Sequence, residues 1–238
     1  MKKIENLNID IFADGADIKS ILELNKNPLI KGFTTNPTLM RKAGISNYKQ
    51  FANEILNLIT DKPISFEVFA DDINEMKIQA YEIASWGKNI NIKIPITNTK
   101  GQSTASLVST LTKNNIICNV TAIFTINQIQ EIIDQIDETS HIILSVFAGR
   151  IADTGIDPIP VMKECVKLTK HIRNCKILWA SPREFLNIMH AEEAGCHIIT
   201  LAPDLLSKIK NYNKNLSQFS LETVNMFYSD AKEAGYKL

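Results

Sequence analysis

Two rhythms of apolar and polar residues take turns along this chain. Short runs rich in β-branched residues are separated by longer stretches whose apolar positions recur with helical spacing. The short runs predict strands at 9–13, 31–35, 64–69, 89–94, 116–121, 141–147, 176–180 and 197–201. The longer stretches predict helices at 16–25, 47–60, 73–86, 102–113, 126–136, 158–173, 184–194 and 203–210, with a last one at 217–234. Phe51, Ile55, Leu58 and Ile59 follow the i, i+4, i+7, i+8 pattern of a helix with one buried face. Gly195 and Gly235 stand where helices should stop.

Regular alternation of strand and helix is the signature of parallel βαβ units. Eight such units in 238 residues fit a closed (β/α)8 barrel, the TIM-barrel architecture, forming a single domain with an extra C-terminal helix. A doubly wound open sheet is the alternative. Its usual sequence support is missing, because the first βα turn, PheAlaAspGlyAlaAsp, is not GxGxxG and no GxxxxGK[ST] occurs.

Composition narrows the partners. Lys+Arg and Asp+Glu both number 26, so no basic excess draws the chain to nucleic acid or to a membrane surface. No apolar run approaches the roughly 20 residues of a spanning helix, and the first residues carry no apolar signal core. A cytoplasmic protein is expected. Cys118, Cys165, Cys175 and Cys196 lie in apolar or helical stretches without CxxC spacing, and the four histidines are scattered. They read as reduced core thiols and isolated imidazoles, so the expected chemistry uses no metal; no cofactor of another kind is expected either.

Active sites of such barrels form where the strands end. Asp14 closes the first strand, Thr35 and Asn36 the second, Glu67 the third and Lys93 the fourth. Asn119 and Thr121 follow on the fifth, Ser145 and Arg150 on and after the sixth, Ser181 and Arg183 after the seventh. In the fourth strand Asn89, Asn91 and Lys93 alternate with Ile90, Ile92 and Ile94, so isoleucines packed under the helices would aim Lys93 into the barrel. An amine removed from water loses its proton more readily and becomes a nucleophile. The plainer alternative is a lysine reaching solvent from a strand edge. Glu67 shares the inward parity, as an ion-pair partner or proton shuttle for that amine or as half of a structural salt bridge. Asp14 suits either acid/base work or a helix N-cap. Arg150, Ser181 and Arg183 suit a phosphate dianion; the competing expectation pairs Arg150 with Asp153 and Arg183 with Glu184 at the surface.

PheAlaAspGlyAlaAsp at 12–17, GlyPheThrThrAsnPro at 32–37, LysIleProIleThr at 93–97, AsnValThrAlaIlePhe at 119–124, PheAlaGlyArgIleAlaAspThrGly at 147–155 and AlaSerProArg at 180–183 occur in order. In these segments the chain resembles the small transaldolases and fructose-6-phosphate aldolases over nearly its whole length. The resemblance implies class I aldol chemistry on phosphorylated sugars, with Lys93 as the Schiff-base lysine and Asp14 as the acid/base group. It makes Glu67 and Thr121 the holders of a catalytic water, and Asn36 and Ser145 partners of the donor's hydroxyls, with Thr35, Asn119 and Phe147 beside them. Arg150, Ser181 and Arg183 become the phosphate grip. The aldolases characteristically have Gln at position 67 and Tyr at 147, so Glu67 and Phe147 point to a transaldolase. A fructose-6-phosphate aldolase, or a related aldolase of divergent sugar specificity, is the alternative. Gly15, Val146 and Trp179 depart from the family pattern and bear on the sugar rather than on the lysine. The resemblance also implies a homo-oligomer, pentameric or decameric, in which the apolar residues Phe219, Leu221, Val224, Phe227 and Tyr228 meet a neighbour; packing on their own barrel is the simpler expectation.

Overall fold

The computed structural model describes residues 4–237. Eight parallel strands close in chain order: β1 Asp10–Asp14, β2 Ile30–Thr34, β3 Ile64–Glu67, β4 Ile90–Pro95, β5 Cys118–Ile123, β6 His141–Val146, β7 Asn174–Trp179 and β8 Ile198–Leu201. β8 pairs with β1, with Asp10 opposite Ile198 and Phe12 opposite Thr200, so the barrel leaves no sheet edge. The open sheet is thereby excluded. The helices are α1 Ile18–Asn25, α2 Pro37–Lys42, α3 Tyr48–Leu58, α4 Ile73–Ala84, α5 Ala105–Lys113, α6 Ile126–Ile133, α7 Ala148–Ala152, α8 Pro158–Thr169, α9 Asn187–Glu193, α10 Pro203–Leu206 and α11 Leu216–Glu233.

All eight expected strands form, with no end moved by more than two residues. Two helices were not expected. α2 and α7 span 6 and 5 residues, too short for a helical period to declare itself. α5 starts at Ala105 rather than at 102, because the preceding residues form a turn held by Asn98, whose side-chain oxygen accepts from the Lys100 and Gln102 amides. Side-chain caps open most of the longer helices: Asp17, Asn47, Asp72, Asp157 and Asn215 each accept from a first-turn amide, and Thr125 with Gln128 forms a capping box. Asp17, not Asp14, therefore caps α1.

The core has two parts. Ile92, Ile94, Val120, Leu144, Ile177 and Trp179 point outward from the strands and pack beneath buried helix residues such as Ile55, Met76, Leu111, Met162 and Ile188. Trp179 belongs to this layer, fully buried with its indole N–H left without a hydrogen-bond partner. Inside the barrel a smaller cluster joins Phe12, Ile143, Leu178, Ala180 and Ile198. Gly32 makes room for the Phe12 ring, since a Cβ there would lie 2.6 Å from it. The four cysteines are buried and free, and burial pushes each thiol up to about 12.

α11 differs from the other long helices in having no buried residue. Leu216, Phe219, Leu221, Val224, Met226, Phe227 and Tyr228 are all exposed, so packing of this segment on its own barrel is not what the structure has. Among the described residues no helix is long and apolar enough to cross a membrane.

Candidate active site

The inward parity of the strands stacks polar groups above the apolar plug. Glu67 on β3 pairs in register with Lys93 on β4, and Lys93 with Asn119 on β5. The Lys93 side chain points into the barrel, 7% exposed, rather than to solvent. Its Nζ lies 2.9 Å from Glu67 Oε2 and donates to the Thr35 carbonyl oxygen, also at 2.9 Å. Beneath it, Ser145 Oγ donates to Asn119 Oδ1 at 2.6 Å and Asn119 Nδ2 donates to Ser65 Oγ at 3.0 Å. This buried chain spans β6, β5 and β3 and fixes the amide orientation of Asn119.

Asp14 ends β1 and takes a 2.9 Å hydrogen bond on Oδ1 from Thr34 Oγ1. Burial raises its carboxyl above the ordinary aspartate range, and the charge of Glu67 adds to this; the Lys93 ammonium and the Thr34 hydroxyl pull the other way. Asp14, Glu67, Lys93, Asn119, Thr121, Ser145 and Phe147 line one cavity of about 610 Å³, with Arg150, Ser181 and Arg183 also in its wall. These residues come from six strand ends, and barrel closure brings them to one opening. Among the described residues no group of three or more histidine, cysteine or acidic side chains could hold a metal ion.

Two expected residues stand differently. Thr35 does not line the cavity through its side chain: Oγ1 is buried without a hydrogen-bond partner, and only the main-chain oxygen reaches the site. β2 turns its even positions inward, so Thr34 occupies the place expected for Thr35. Asn36 faces the cavity but also caps α2, accepting from the Leu39 amide at 3.0 Å.

The rim is shaped by close backbone packing. Ala122 and Ser181 adopt left-handed φ angles of 60° and 59°, uncommon for residues with a Cβ. Ala122 lies at a register shift of β5 against β6, directly after Thr121. Ser181 turns against α7, where Gly149 has no side chain. The Arg150 guanidinium stacks over the Phe147 ring, 5.2 Å from its centroid. Arg183 Nε donates to both oxygens of Asp153 at 2.9 and 3.0 Å, and Nη2 completes the fork. The guanidinium beside it holds the Asp153 carboxyl below the usual range. Neither surface pair expected from the sequence forms: Arg183, not Arg150, meets Asp153. The Arg183 and Glu184 amides both donate to Asn187 Oδ1 instead.

Sequence reasoning missed Thr34, Lys42 and Thr200, all in the cavity wall, and Tyr48, whose hydroxyl donates to the Glu67 carbonyl oxygen at 2.9 Å. Strand parity could have found Thr34 and Thr200. Lys42 and Tyr48 are on helices, where no strand rule reaches them.

A (β/α)8 barrel with an enclosed lysine amine against a carboxylate, a second carboxyl and two guanidiniums around one mouth is equipped for amine chemistry on an anionic carbonyl compound. The chain belongs to the transaldolase/fructose-6-phosphate aldolase family, which it matches over residues 11–238. It is 32% identical over 203 residues to a "Probable transaldolase" of Dehalococcoides mccartyi, covering 85% of this chain and 90% of that one. It is 32% identical over 228 residues to a "Probable transaldolase" of Thermoanaerobacter sp., covering 95% and 99%. Among solved structures, dihydrodipicolinate synthase from Rhodopseudomonas palustris superposes with a TM-score of 0.58 at 12% identity, over 93% of this chain and 80% of that one, a likeness of fold.

The packing at Gly149 has a measurable consequence. A Cβ there would lie 1.6 Å from the Ser181 carbonyl oxygen, a backbone atom that moves only with its turn. Gly149→Ala is expected to cost about 1–3 kcal/mol, a fall in Tm of about 2–4 °C per kcal/mol for a chain of this size. Calorimetry reads it, and an unchanged Tm would mean that the approach is not close.

Proposed function

We propose that the protein is a transaldolase that moves a dihydroxyacetone unit from a ketose phosphate, sedoheptulose 7-phosphate or fructose 6-phosphate, to an aldose phosphate. The observation that carries this reading is the Lys93 amine, enclosed in the barrel 2.9 Å from Glu67 and opening on the cavity that Asp14 shares.

In this reading Lys93 Nζ attacks the keto carbon, and Glu67 with Thr121 holds the water that relays protons as the carbinolamine loses water. The iminium is then the electron sink. Asp14 takes the proton of the C4 hydroxyl as the C3–C4 bond breaks, the aldose phosphate departs, and the enamine left on Lys93 adds to the acceptor aldehyde. Asn36, Asn119 and Ser145 hold the donor's hydroxyls, with Phe147 beside them. Arg150, Ser181 and Arg183 grip the phosphate, Arg183 with the part of its fork that Asp153 leaves free.

Borohydride added with fructose 6-phosphate should fix a three-carbon adduct on Lys93, read by peptide mass spectrometry. Labelling of another lysine would sink the assignment. In a coupled assay, glyceraldehyde 3-phosphate release should require erythrose 4-phosphate; equal release without it would make the protein an aldolase and remove Glu67 and Phe147 as markers of transfer.

Arg183→Ala should raise KM for phosphorylated substrates at least about tenfold while leaving KM for unphosphorylated sugars nearly unchanged. Equal effects on both would take Arg183 out of the phosphate site.

The same reading includes a homo-oligomer, pentameric or decameric, built on α11. Its support is the row of exposed apolar side chains from Leu216 to Tyr228. Mass photometry should find five or ten copies in the wild type and smaller species in Phe227→Glu; a monomeric wild type would dismiss it.

A further inference from the structure

Thr34 Oγ1 lies 2.9 Å from Asp14 Oδ1 and 2.5 Å from Thr200 Oγ1. A hydroxyl has one proton to give. When Asp14 is ionised, Thr34 must spend that proton on the carboxylate, so the contact with Thr200 exists only if Thr200 is the donor. The direction Thr200 to Thr34 to Asp14 is therefore set by proton count. Barrel closure makes it possible. β1 runs between β2 and β8, Thr34 sits opposite Asp14 in register, and Thr200 sits opposite Phe12 on the other side. Both threonines are buried, at 4% and 8% exposure, so water competes little for either hydroxyl.

We propose that Thr200 is a positioning residue for Asp14: by donating to Thr34 it commits the Thr34 proton to the carboxylate, holding Asp14 in one orientation and favouring its ionised form. The proposal rests on the reading of Asp14 as the acid/base group. A donor that is itself hydrogen-bonded gives a stronger bond, so loss of Thr200 weakens Thr34's hold and frees that hydroxyl to turn elsewhere. Other groups act on the same carboxyl. Lys93 from β4 and Glu67 from β3 face it across the mouth, and Lys42 from α2 lines the cavity with Arg150 and Arg183. Asp17 of α1 lies close by in a neighbouring pocket, with its carboxylate turned to Ser20. None of these changes when Thr200 alone is altered.

Thr200→Val keeps the branched shape and removes the donor, while Thr200→Ser keeps the donor and removes the methyl. For the valine variant kcat should fall about five- to tenfold with KM for the donor within about twofold, and the acidic limb of the kcat profile should move to higher pH. The sign follows from role and chemistry: a base works as carboxylate, and losing support for the charged form lets it take its proton at higher pH. Thr200→Ser should return both to wild type. Titration of the Asp14 carboxyl by carbon-13 NMR, assigned with Asp14→Asn, should move upward in the valine variant alone. This second readout needs no turnover, so it tests the hydroxyl chain even if the proposed activity fails. A valine variant that titrates like wild type would overturn the proposal. So would a serine variant as impaired as valine, which would mean methyl packing, or an effect on KM alone, which would mean contact with substrate.

Discussion

The bore of an eight-stranded parallel barrel is only wide enough for side chains, and what fills each level decides what the level above can do. Here Phe12, Ile143, Leu178 and Ile198 fill one level, with Ala180 two residues beyond Leu178 completing the cluster, and Phe12 fits only because Gly32 has nothing to put in its way. With that level plugged by apolar groups, the inward residues one step further along several strands come to rest at the mouth. Asp14 stands two residues past Phe12, Ser145 two past Ile143, and Thr200 two past Ile198. The site is the last level of the same packing.

That level is electrostatically opposed to itself. Lys93 and Glu67 meet at 2.9 Å in a place mostly closed to water. A buried pair of this kind is weak evidence for stability, because desolvation offsets much of the attraction. The barrel accepts it where the cavity opens, and the Thr35 carbonyl gives the ammonium a further partner. Asp14 is pulled both ways, upward by burial and by Glu67, downward by Lys93 and Thr34. Carboxyls perturbed in this way cluster at functional sites. The Arg183 and Asp153 pair at the rim is half exposed and contributes little to folding; its fork keeps the guanidinium oriented beside the cavity.

Strand periodicity made much of the architecture readable. The alternation of isoleucine with asparagine and lysine in β4 placed Lys93 inward, and the structure agrees. Eight strand ends were legible as eight short β-branched runs. At the end of β2 the expectation rested on position and not on parity: Thr35 carried it as a strand-end residue and Thr34 holds the place, because one residue's difference reverses the face. α2 and α7 were illegible for a different reason. Each is set by a local event, an asparagine cap followed by proline or a glycine pressed against the next strand's turn, with no apolar period long enough to read.

The family was legible as a resemblance of whole segments; residue types and their spacing carried the barrel class, the inward Lys93 and Glu67, and the reduced cysteines. Local covalent geometry suffices for these, since a side chain's face follows from its position in its own strand. Pairings between strands lay outside that reach. Arg183 meets Asp153 rather than Glu184, Asn119 links Ser65 to Ser145, and Thr200 reaches Asp14 through Thr34. Each joins residues distant along the chain, and its geometry depends on the stagger of neighbouring strands once β8 has closed against β1. That stagger belongs to the whole barrel and is written in no single segment of it.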